Sequence, residues 1–355
     1  MIRARRGTAE LRAPRAARCR WRSDSVGRAE QAAAAAADGR PRAPEETAAV
    51  IALLAAPSNL GLRPPRPSSV PGCAKAPEAL REAGLHARLA AAGAVDAGVV
   101  LPGRYVDDGD PGSHRLRNQD AIVDHSRRLA DRLGSLLDDG RVPLVLGGDC
   151  SLLVGAGLAL ARRGGAGLVH LDGHTDFRHP GNSDQCVSLA GEDLAAAVGH
   201  HWDAVADIDG HRPYFSAGRT AHLGCRDDDE HLPEVQRLLG AVLPAGRVDA
   251  VGAQVAAATA LRVAGGSSGA GFWLHLDVDV LDPRHMPAVD SPDDGGLDPE
   301  QLVTLLEALA PGAVGAQVTV FDPDPDLDPD GRHARLLADV LATGLRGLGA
   351  GAAAT

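Results

Sequence analysis

The run GFWLHLDVDV, residues 271–280, decides the fold, because its first half is almost continuously apolar and acidic side chains end it. Two shorter runs, VPLVLGG at 142–148 and AGLVHLD at 166–172, have the same character. Continuously apolar strands are typical of parallel sheets buried on both faces, and helical patterns lie between these runs. The sequence therefore predicts an α/β fold with a mainly parallel central sheet.

Further elements are predicted on either side of these runs. The segment AAVIALLAAP at 48–57 predicts a first strand or a short helix, residues 77–93 predict a helix with a Gly stop, and residues 118–139 predict a long amphipathic helix. No Pro/Ser-rich linker interrupts residues 48–345, so one domain is expected over 47–355. Residues 1–46 are rich in Arg and Ala, and they predict a disordered or non-native extension, with a transit peptide as the alternative.

Composition limits the possible functions. The formal charge of the 355-residue chain is −11, but residues 1–44 hold eleven Arg against four acids, so the remainder is strongly acidic. An acidic body is unsuited to nucleic acid and suits cationic ligands or metal ions. No apolar run is long enough to span a membrane. The five cysteines are scattered without a pairing pattern, which indicates a reducing compartment and hence a cytoplasmic location.

Candidate metal ligands follow the three apolar runs, at the strand ends where open α/β sheets bind ligands. The sequences at these ends are Gly147-Gly148-Asp149-Cys150, Asp172-Gly173-His174-Thr175-Asp176 and Asp277-Val278-Asp279. Residues i and i+2 on a strand share a face, so Asp172 can converge with His174, and Asp277 with Asp279. Carboxylates brought together after buried strands need cations to remain charged. Carboxylates with one imidazole suit Mn²⁺ and similar ions, and two such ions generate a hydroxide nucleophile.

These motifs resemble those of the ureohydrolase family, which contains arginases, agmatinases and formimidoylglutamases. That family shows G-G-D-H-S, D-A-H-x-D and S-x-D-x-D-x-x-D-P, and this chain has GGDCS at 147–151, DGHTD at 172–176 and HLDVDVLDP at 275–283. APSNLG at 56–61 is similar to the family's first strand and loop. The resemblance covers about residues 48–345 and implies a three-layer α/β/α sandwich of the arginase type.

The resemblance also implies an activity and a ligand set. Metal-dependent hydrolysis of a non-peptide C–N bond in a linear amidine or guanidine is expected, through a hydroxide that bridges two Mn²⁺ ions. Asp172 and Asp277 would bridge both ions, Asp176 would complete one, and His174 with Asp279 the other. Asp282 would orient neighbouring groups without binding metal. Homo-oligomers, trimers or hexamers, are expected by the same resemblance.

Three positions depart from the family pattern. Cys150 stands where the family has His; a thiolate ligand favours Zn²⁺ or Fe²⁺, and the alternative is a buried thiol beside a weak metal position. The family's proton-carrying His is absent from GNSDQC at 181–186, where Asp184 lies nearest and His179 is a second candidate. Arg178 replaces an Asn of arginases, as in formimidoylglutamases. With Asn182 it is predicted to contact substrate, and it hints at an acidic one, or else it points to solvent. His275 replaces a Ser and has no predicted role.

Two other functions remain open from the sequence. A mononuclear zinc amide hydrolase on the related deacetylase fold would use fewer ligands than are present here. A non-catalytic relative that binds a small cation or a partner subunit would explain Cys150 and the missing His. Five carboxylate or imidazole ligands favour the two-metal hydrolase, because clustered carboxylates without a role destabilise a fold.

Overall fold

The computed structural model describes residues 50–266 and 271–351. Eight strands form one sheet in which every pairing is parallel. The strands are β1 (Val50–Ala56), β2 (Val95–Val99), β3 (Arg141–Gly147), β4 (Gly167–Leu171), β5 (Thr220–Leu223), β6 (Ala241–Leu243), β7 (Phe272–Asp277) and β8 (Ala313–Thr319). Their order across the sheet is β2-β1-β3-β8-β7-β4-β5-β6. The predicted parallel sheet is confirmed, and the segment at 48–57 provides a strand.

Helices cover both faces of this sheet. They are α1 (Ala76–Glu82), α2 (Leu85–Ala91), α3 (Gln119–Asp138), α4 (Leu152–Ala161), α5 (Asp193–Ala197), α6 (Asp203–Ala206), α7 (Leu232–Leu238), α8 (Ala245–Val251), α9 (Ala253–Ala264), α10 (Pro299–Leu309) and α11 (Arg332–Gly344). Alternate residues of β1 enter two separate cores, Ile51 and Leu53 on one face and Ala52 and Leu54 on the other. The α/β/α sandwich is thus confirmed, with a packed core on each side of the sheet.

Two predicted helices have different outcomes. The long helix expected over 118–139 is α3, whose buried stripe from Ile122 to Leu136 packs against the sheet. The helix expected over 77–93 is two short helices, because Gly84 adopts a left-handed backbone with φ 88° between α1 and α2. A left-handed residue cannot continue a right-handed helix, and only the helix after Gly84 reaches the Gly stop.

The expectation for residues 1–46 concerns a part of the chain outside the described residues and stays a prediction. Within the described ranges, no helix is long and apolar enough to cross a membrane. The carboxyl ends of the central strands β3, β8, β7 and β4 lie side by side in the sheet. This arrangement brings the turns after β3, β4 and β7 to one edge, where the predicted ligands are found.

Candidate metal centre

The two acidic motifs converge through tight turns and not through strand alternation. Strand β4 ends at Leu171 and β7 at Asp277, so Asp172, His174 and Asp279 all lie beyond regular strand. The backbone N–H of His174 donates to Asp172 Oδ1 at 2.7 Å, and that of Asp279 donates to Asp277 Oδ1 at 2.8 Å. The prediction of convergence is correct but its reason is not: an aspartate side chain folds back on each turn, as Asp commonly does.

The inner group consists of Cys150, Asp172 and Asp277, whose ligand atoms all lie within 4.8 Å of one another. All three side chains are buried. Cys150 Sγ donates to Asp277 Oδ2 at 2.8 Å and lies 3.1 Å from Thr319 Oγ1 at the end of β8. The predicted sixth ligand is therefore placed among the carboxylates.

The outer group consists of Asp172, His174 and Asp176, also within 4.8 Å of one another. Asp279 joins it, because His174 Nδ1 lies 2.9 Å from Asp279 Oδ2. The opposite ring nitrogen, Nε2, lies 3.0 Å from Asp293 Oδ2. Asp172 belongs to both groups, and this is the arrangement that a carboxylate shared between two ions requires.

The electrostatics of the site favour bound cations. Burial, together with the neighbouring carboxylates, raises the pKa of Asp172 and Asp277 well above 3.8, and burial with nearby Asp193 does the same to the pKa of Asp176. Burial alone would lower the pKa of His174, but Asp279 and the other carboxylates raise it to about 11. Asp172 Oδ2 is buried without a hydrogen-bond partner among the described residues. Clustered carboxylates with raised pKa values favour a bound cation, and the donor set fits divalent ions.

Cys150 contributes differently from its neighbours. Burial, followed by the charges of Asp277 and Asp193, raises the pKa of its thiol well above 9.0. A thiol in this setting becomes a thiolate only when a metal ion replaces the proton, because the ion supplies the missing positive charge. Cys150 would therefore act as a metal ligand when an ion is bound, and as a buried thiol when none is bound.

A cavity of about 610 Å³ opens above the two groups. Its wall includes His174, Asp176, Asp277 and Asp279, and six further acidic side chains: Asp228, Asp229, Glu230, Asp290, Asp293 and Asp294. Arg63, Arg178 and Arg226 also line it. Arg226 is buried and donates to the backbone carbonyls of Asp279 and Asp293 at 3.0 and 2.7 Å, so it supports the ligand turns.

Of the loop residues predicted to carry protons or contact substrate, one lines the cavity and two lie outside it. Arg178 lines the cavity, and its Nη2 lies 3.5 Å from Glu230 Oε1. Asp184 and Asn182 are exposed and do not belong to the cavity wall. Asn182 donates to Glu234 Oε2 at 2.9 Å, and Asp184 accepts from the neighbouring side chain of Gln185. The structure therefore brings Arg178 to the site and leaves Asp184 and Asn182 on the loop surface.

His179 and Asp282, the other residues considered from the sequence, form their hydrogen bonds with residues outside the ligand set. His179 Nδ1 accepts from the backbone of Gly181, and its Nε2 lies 3.3 Å from Glu234 Oε1. Asp282 accepts from the guanidinium of Arg284 at 2.9 and 2.6 Å. Neither carries a hydrogen bond to a candidate ligand among the described residues.

Sequence reasoning missed three residues next to the site. Asp193, the first residue of α5, is buried beside Cys150 and carries two carboxylate oxygens without hydrogen bonds to described residues. His170 is the residue of β4 immediately before Leu171, the last residue of the strand. His231 lines the cavity. The one available signal was an acidic residue at 193 just before the apolar run LAAAV, but such residues most often begin helices.

Fold and site together define a class: an α/β/α protein whose parallel strands end in a carboxylate-rich pocket suited to divalent metal ions. A sequence model described as "Arginase family" matches residues 49–345. The chain belongs to the arginase family, the ureohydrolases, and the resemblance drawn from its motifs is confirmed. This class of enzyme hydrolyses guanidino or amidino C–N bonds with bound metal.

Individual relatives agree with this assignment. Arginase of Brevibacillus brevis is 28% identical over 275 residues, which cover 75% of this chain and 90% of that protein. Arginase of Bacillus caldovelox superposes with a TM-score of 0.74 at 26% identity, covering 84% of this chain and 98% of the other. Formiminoglutamase of Trypanosoma cruzi, solved with Mn²⁺, shares the fold with a TM-score of 0.61 at 20% identity, covering 86% and 97%.

Proposed function

We propose that this chain hydrolyses a C–N bond in a linear guanidine or amidine with two metal ions held by the inner and outer groups. The observation that carries the proposal is the position of Asp172, which belongs to both groups. Following the family's pattern, the inner group would hold one ion together with Asp176, and Asp172, His174 and Asp279 of the outer group would hold the other together with Asp277. Bound ions would supply a water of lowered pKa as nucleophile at neutral pH.

The remaining residues define what the cavity accepts. Six acidic side chains besides the ligands line it, and they favour a cationic group such as a guanidinium or amidinium. Arg63 and Arg178 also line an adjoining cavity that contains Arg117 and Ser188. A carboxylate at the far end of the substrate would meet this basic rim. We therefore favour a guanidino or amidino acid, with the cation at the acidic wall and the carboxylate at Arg63 and Arg178.

Proton transfer to the leaving amine needs a group in the cavity wall. Among the described residues that line it, His174 and His231 carry the imidazoles, and His174 belongs to the ligands. His231 Nε2 is buried 3.3 Å from Glu230 Oε1 in a geometry without a hydrogen bond. We propose His231 as the proton carrier, in preference to the exposed Asp184, because a carrier must come within reach of the substrate.

A substrate panel tests the function. Metal-replete protein is incubated with arginine, guanidinobutyrate, formimidoylglutamate and agmatine, and release of urea or formamide is measured. We expect turnover of a carboxylated substrate, its loss with a chelator, and its recovery with Mn²⁺ or Zn²⁺. Agmatine, which lacks the carboxylate, should be slower, and Arg178→Asn should raise KM for the carboxylated substrate while leaving KM for agmatine unchanged.

Several outcomes would contradict parts of this proposal. Metal-replete protein without bound divalent ions would remove the hydrolase assignment, and bound ions without any turnover would favour the non-catalytic relative. An unchanged KM in Arg178→Asn would remove the carboxylate contact. Faster turnover of agmatine would have the same effect.

Metal identity, assembly and location are finer parts of the same proposal. Mn²⁺ is the expected ion of the outer group, with its carboxylates and one imidazole, whereas Cys150 favours Zn²⁺ or Fe²⁺ at the inner group. A cytoplasmic homo-oligomer, a trimer or hexamer, is proposed. Val99 and Leu101, at and beyond the end of edge strand β2, are more than half exposed and are available to an interface. Light scattering on the purified protein measures the assembly.

A further inference from the structure

Three buried histidines lie in register on neighbouring strands beneath the ligand groups. His170 of β4 pairs with His222 of β5 and with His275 of β7, and all three are fully buried. The rings of His170 and His275 stack with centroids 4.4 Å apart. His170 Nδ1 lies 3.0 Å from His222 Nδ1, so one of these atoms donates and the other accepts. The second nitrogen of His170, Nε2, lies on the side of the candidate ligand Asp172.

That nitrogen faces two carboxylates across a gap. His170 Nε2 lies 3.7 Å from Asp172 Oδ2 and 3.7 Å from Asp193 Oδ1, too far for hydrogen bonds. His170 Nε2, Asp172 Oδ2 and both oxygens of Asp193 are buried without hydrogen-bond partners among the described residues. A buried polar atom without a partner costs about 1–3 kcal/mol. His170 Nε2 thus lies near two carboxylates that also lack partners, and this position indicates a group that binds beside it.

The spacing suits a metal ion. Two nitrogen or oxygen ligands at about 2.1 Å from a tetrahedral zinc ion lie about 3.4 Å apart, close to the observed 3.7 Å. A thiol completes the surroundings, because Cys150 lies within 4.8 Å of Asp193 and also of Asp172. Nitrogen, sulfur and oxygen donors in one set favour zinc-type ions over manganese.

His275 is excluded from this ligand set by its hydrogen bonds. Trp273 Nε1 donates to Gln317 Oε1 at 2.9 Å, which turns the amide nitrogen of Gln317 toward His275 Nδ1 at 2.8 Å. His275 Nδ1 therefore accepts, and its Nε2 carries the proton. A protonated nitrogen cannot bind a metal. His275 Nε2 lies 3.6 Å from Cys150 Sγ. Its N–H donates to the sulfur and so positions Cys150.

We propose that His170 and Asp193, together with Asp172 and Cys150, form a four-ligand set for the inner ion in place of Asp176 and Asp277, and that this set selects a zinc-type ion. His170 on β4 would thereby supply an imidazole ligand, which this chain otherwise lacks at the inner ion because Cys150 stands where the family has His. The inference rests on the proposed function only in assuming that an ion occupies the inner group.

Metal content tests the ligand assignment. The variants His170→Gln and Asp193→Asn are compared with wild type by elemental analysis and by zinc titration. We expect wild type to hold two ions and each variant to hold one, with zinc affinity at the lost position reduced by more than about 100-fold, beyond what loss of a supporting residue gives. His125→Gln and Asp328→Asn change buried residues elsewhere, and both should retain two ions. Two tightly held ions in both ligand variants would overturn the proposal.

A second measurement needs no variant and covers the case in which these proteins fail to fold. X-ray absorption at the zinc edge, on wild-type protein loaded with one equivalent of zinc, should show one sulfur and at least one imidazole ligand. A first zinc ion without a sulfur ligand, or with sulfur but without an imidazole, would overturn the proposal. Substrate turnover separates the two hypotheses: variants that lose one ion support the ligand set even if no substrate is hydrolysed. An active enzyme whose variants keep both ions would refute the ligand set alone.

Discussion

At the scale of single residues, His174 and the buried aspartates show how strongly this site depends on a cation. His174 lies between Asp279 and Asp293, and their attraction raises the pKa of its imidazole to about 11. The pKa values of Asp172, Asp176 and Asp277 are raised for the opposite reason, because burial and mutual repulsion disfavour the charged forms of these carboxyl groups. Divalent ions replace all of these protons at once, so metal binding must release protons.

The metal-free protein should lose stability as pH rises. Above about pH 7, where the histidines of the unfolded chain are neutral, the folded state binds more protons than the unfolded state, because the pKa values of the three Asp are raised from 3.8 and that of His174 from 6.5 to about 11. Linkage then gives a free energy of unfolding that falls with pH. We expect the thermal midpoint of chelator-treated protein to decrease between about pH 7 and 9, and the stabilisation by added metal to increase. A midpoint that rises over this range would contradict the shifts.

His231 offers a kinetic prediction at the same scale. The change His231→Asn removes the proposed proton carrier, and general acid–base catalysis of this kind contributes about 10²-fold or more. We expect kcat to fall by about that factor with little change in KM or metal content. His114→Asn, at an exposed position outside the cavity, is the matched control. Unchanged kcat in the His231 variant would show that His231 is not the proton carrier and would favour the loop that contains Asp184.

At the scale of elements, the close approach of β1 and β3 places Cys150. Gly148 follows β3 so near the turn after β1 that a Cβ would lie 1.6 Å from the carbonyl oxygen of Ser58. Ser58 Oγ donates to Asp149 Oδ2 at 2.8 Å, which links the two turns. The GGD sequence thus fixes the backbone two residues before the thiol, and helix α4 begins immediately after it.

Gly148→Ala should therefore separate these turns. Overpacking of a rigid backbone contact costs about 3 kcal/mol, and Cys150 would move away from Asp277. We expect a lower free energy of unfolding in urea and weaker binding at the inner group, while the outer group keeps its ion. Gly218→Ala is the control, because its Cβ meets one atom, at 4.0 Å. Equal stability of the two variants would show that the turn adjusts without strain.

At the scale of the whole molecule, the acidic body of the chain and the acidic cavity act on substrates together. The net charge of −11 would attract a cationic substrate from a distance. Such attraction between exposed charges is screened beyond about 8 Å at physiological ionic strength. The field of the protein is therefore expected to affect encounter with substrate more than the chemical step.

Ionic strength tests this attraction. For agmatine, which carries only positive charge, kcat/KM should fall as salt rises, whereas kcat should change little. For a zwitterionic guanidino acid the fall should be smaller, because its carboxylate offsets the attraction. A salt dependence that is equal for both substrates would place the effect on the protein's stability and not on steering.

The sequence by itself determined the sheet, the buried strands and six candidate ligands. These features follow from local composition: continuous apolar runs need two covering layers, and acidic residues after them need cations. The structure alone decided what surrounds them. Asp193 lies beside Cys150 because α5 packs against α4, and His170 lies beside His275 because β4 pairs with β7. Asp184 stays outside on an exposed loop. Such contacts join residues far apart in the chain, and no spacing within GFWLHLDVDV or DGHTD encodes them.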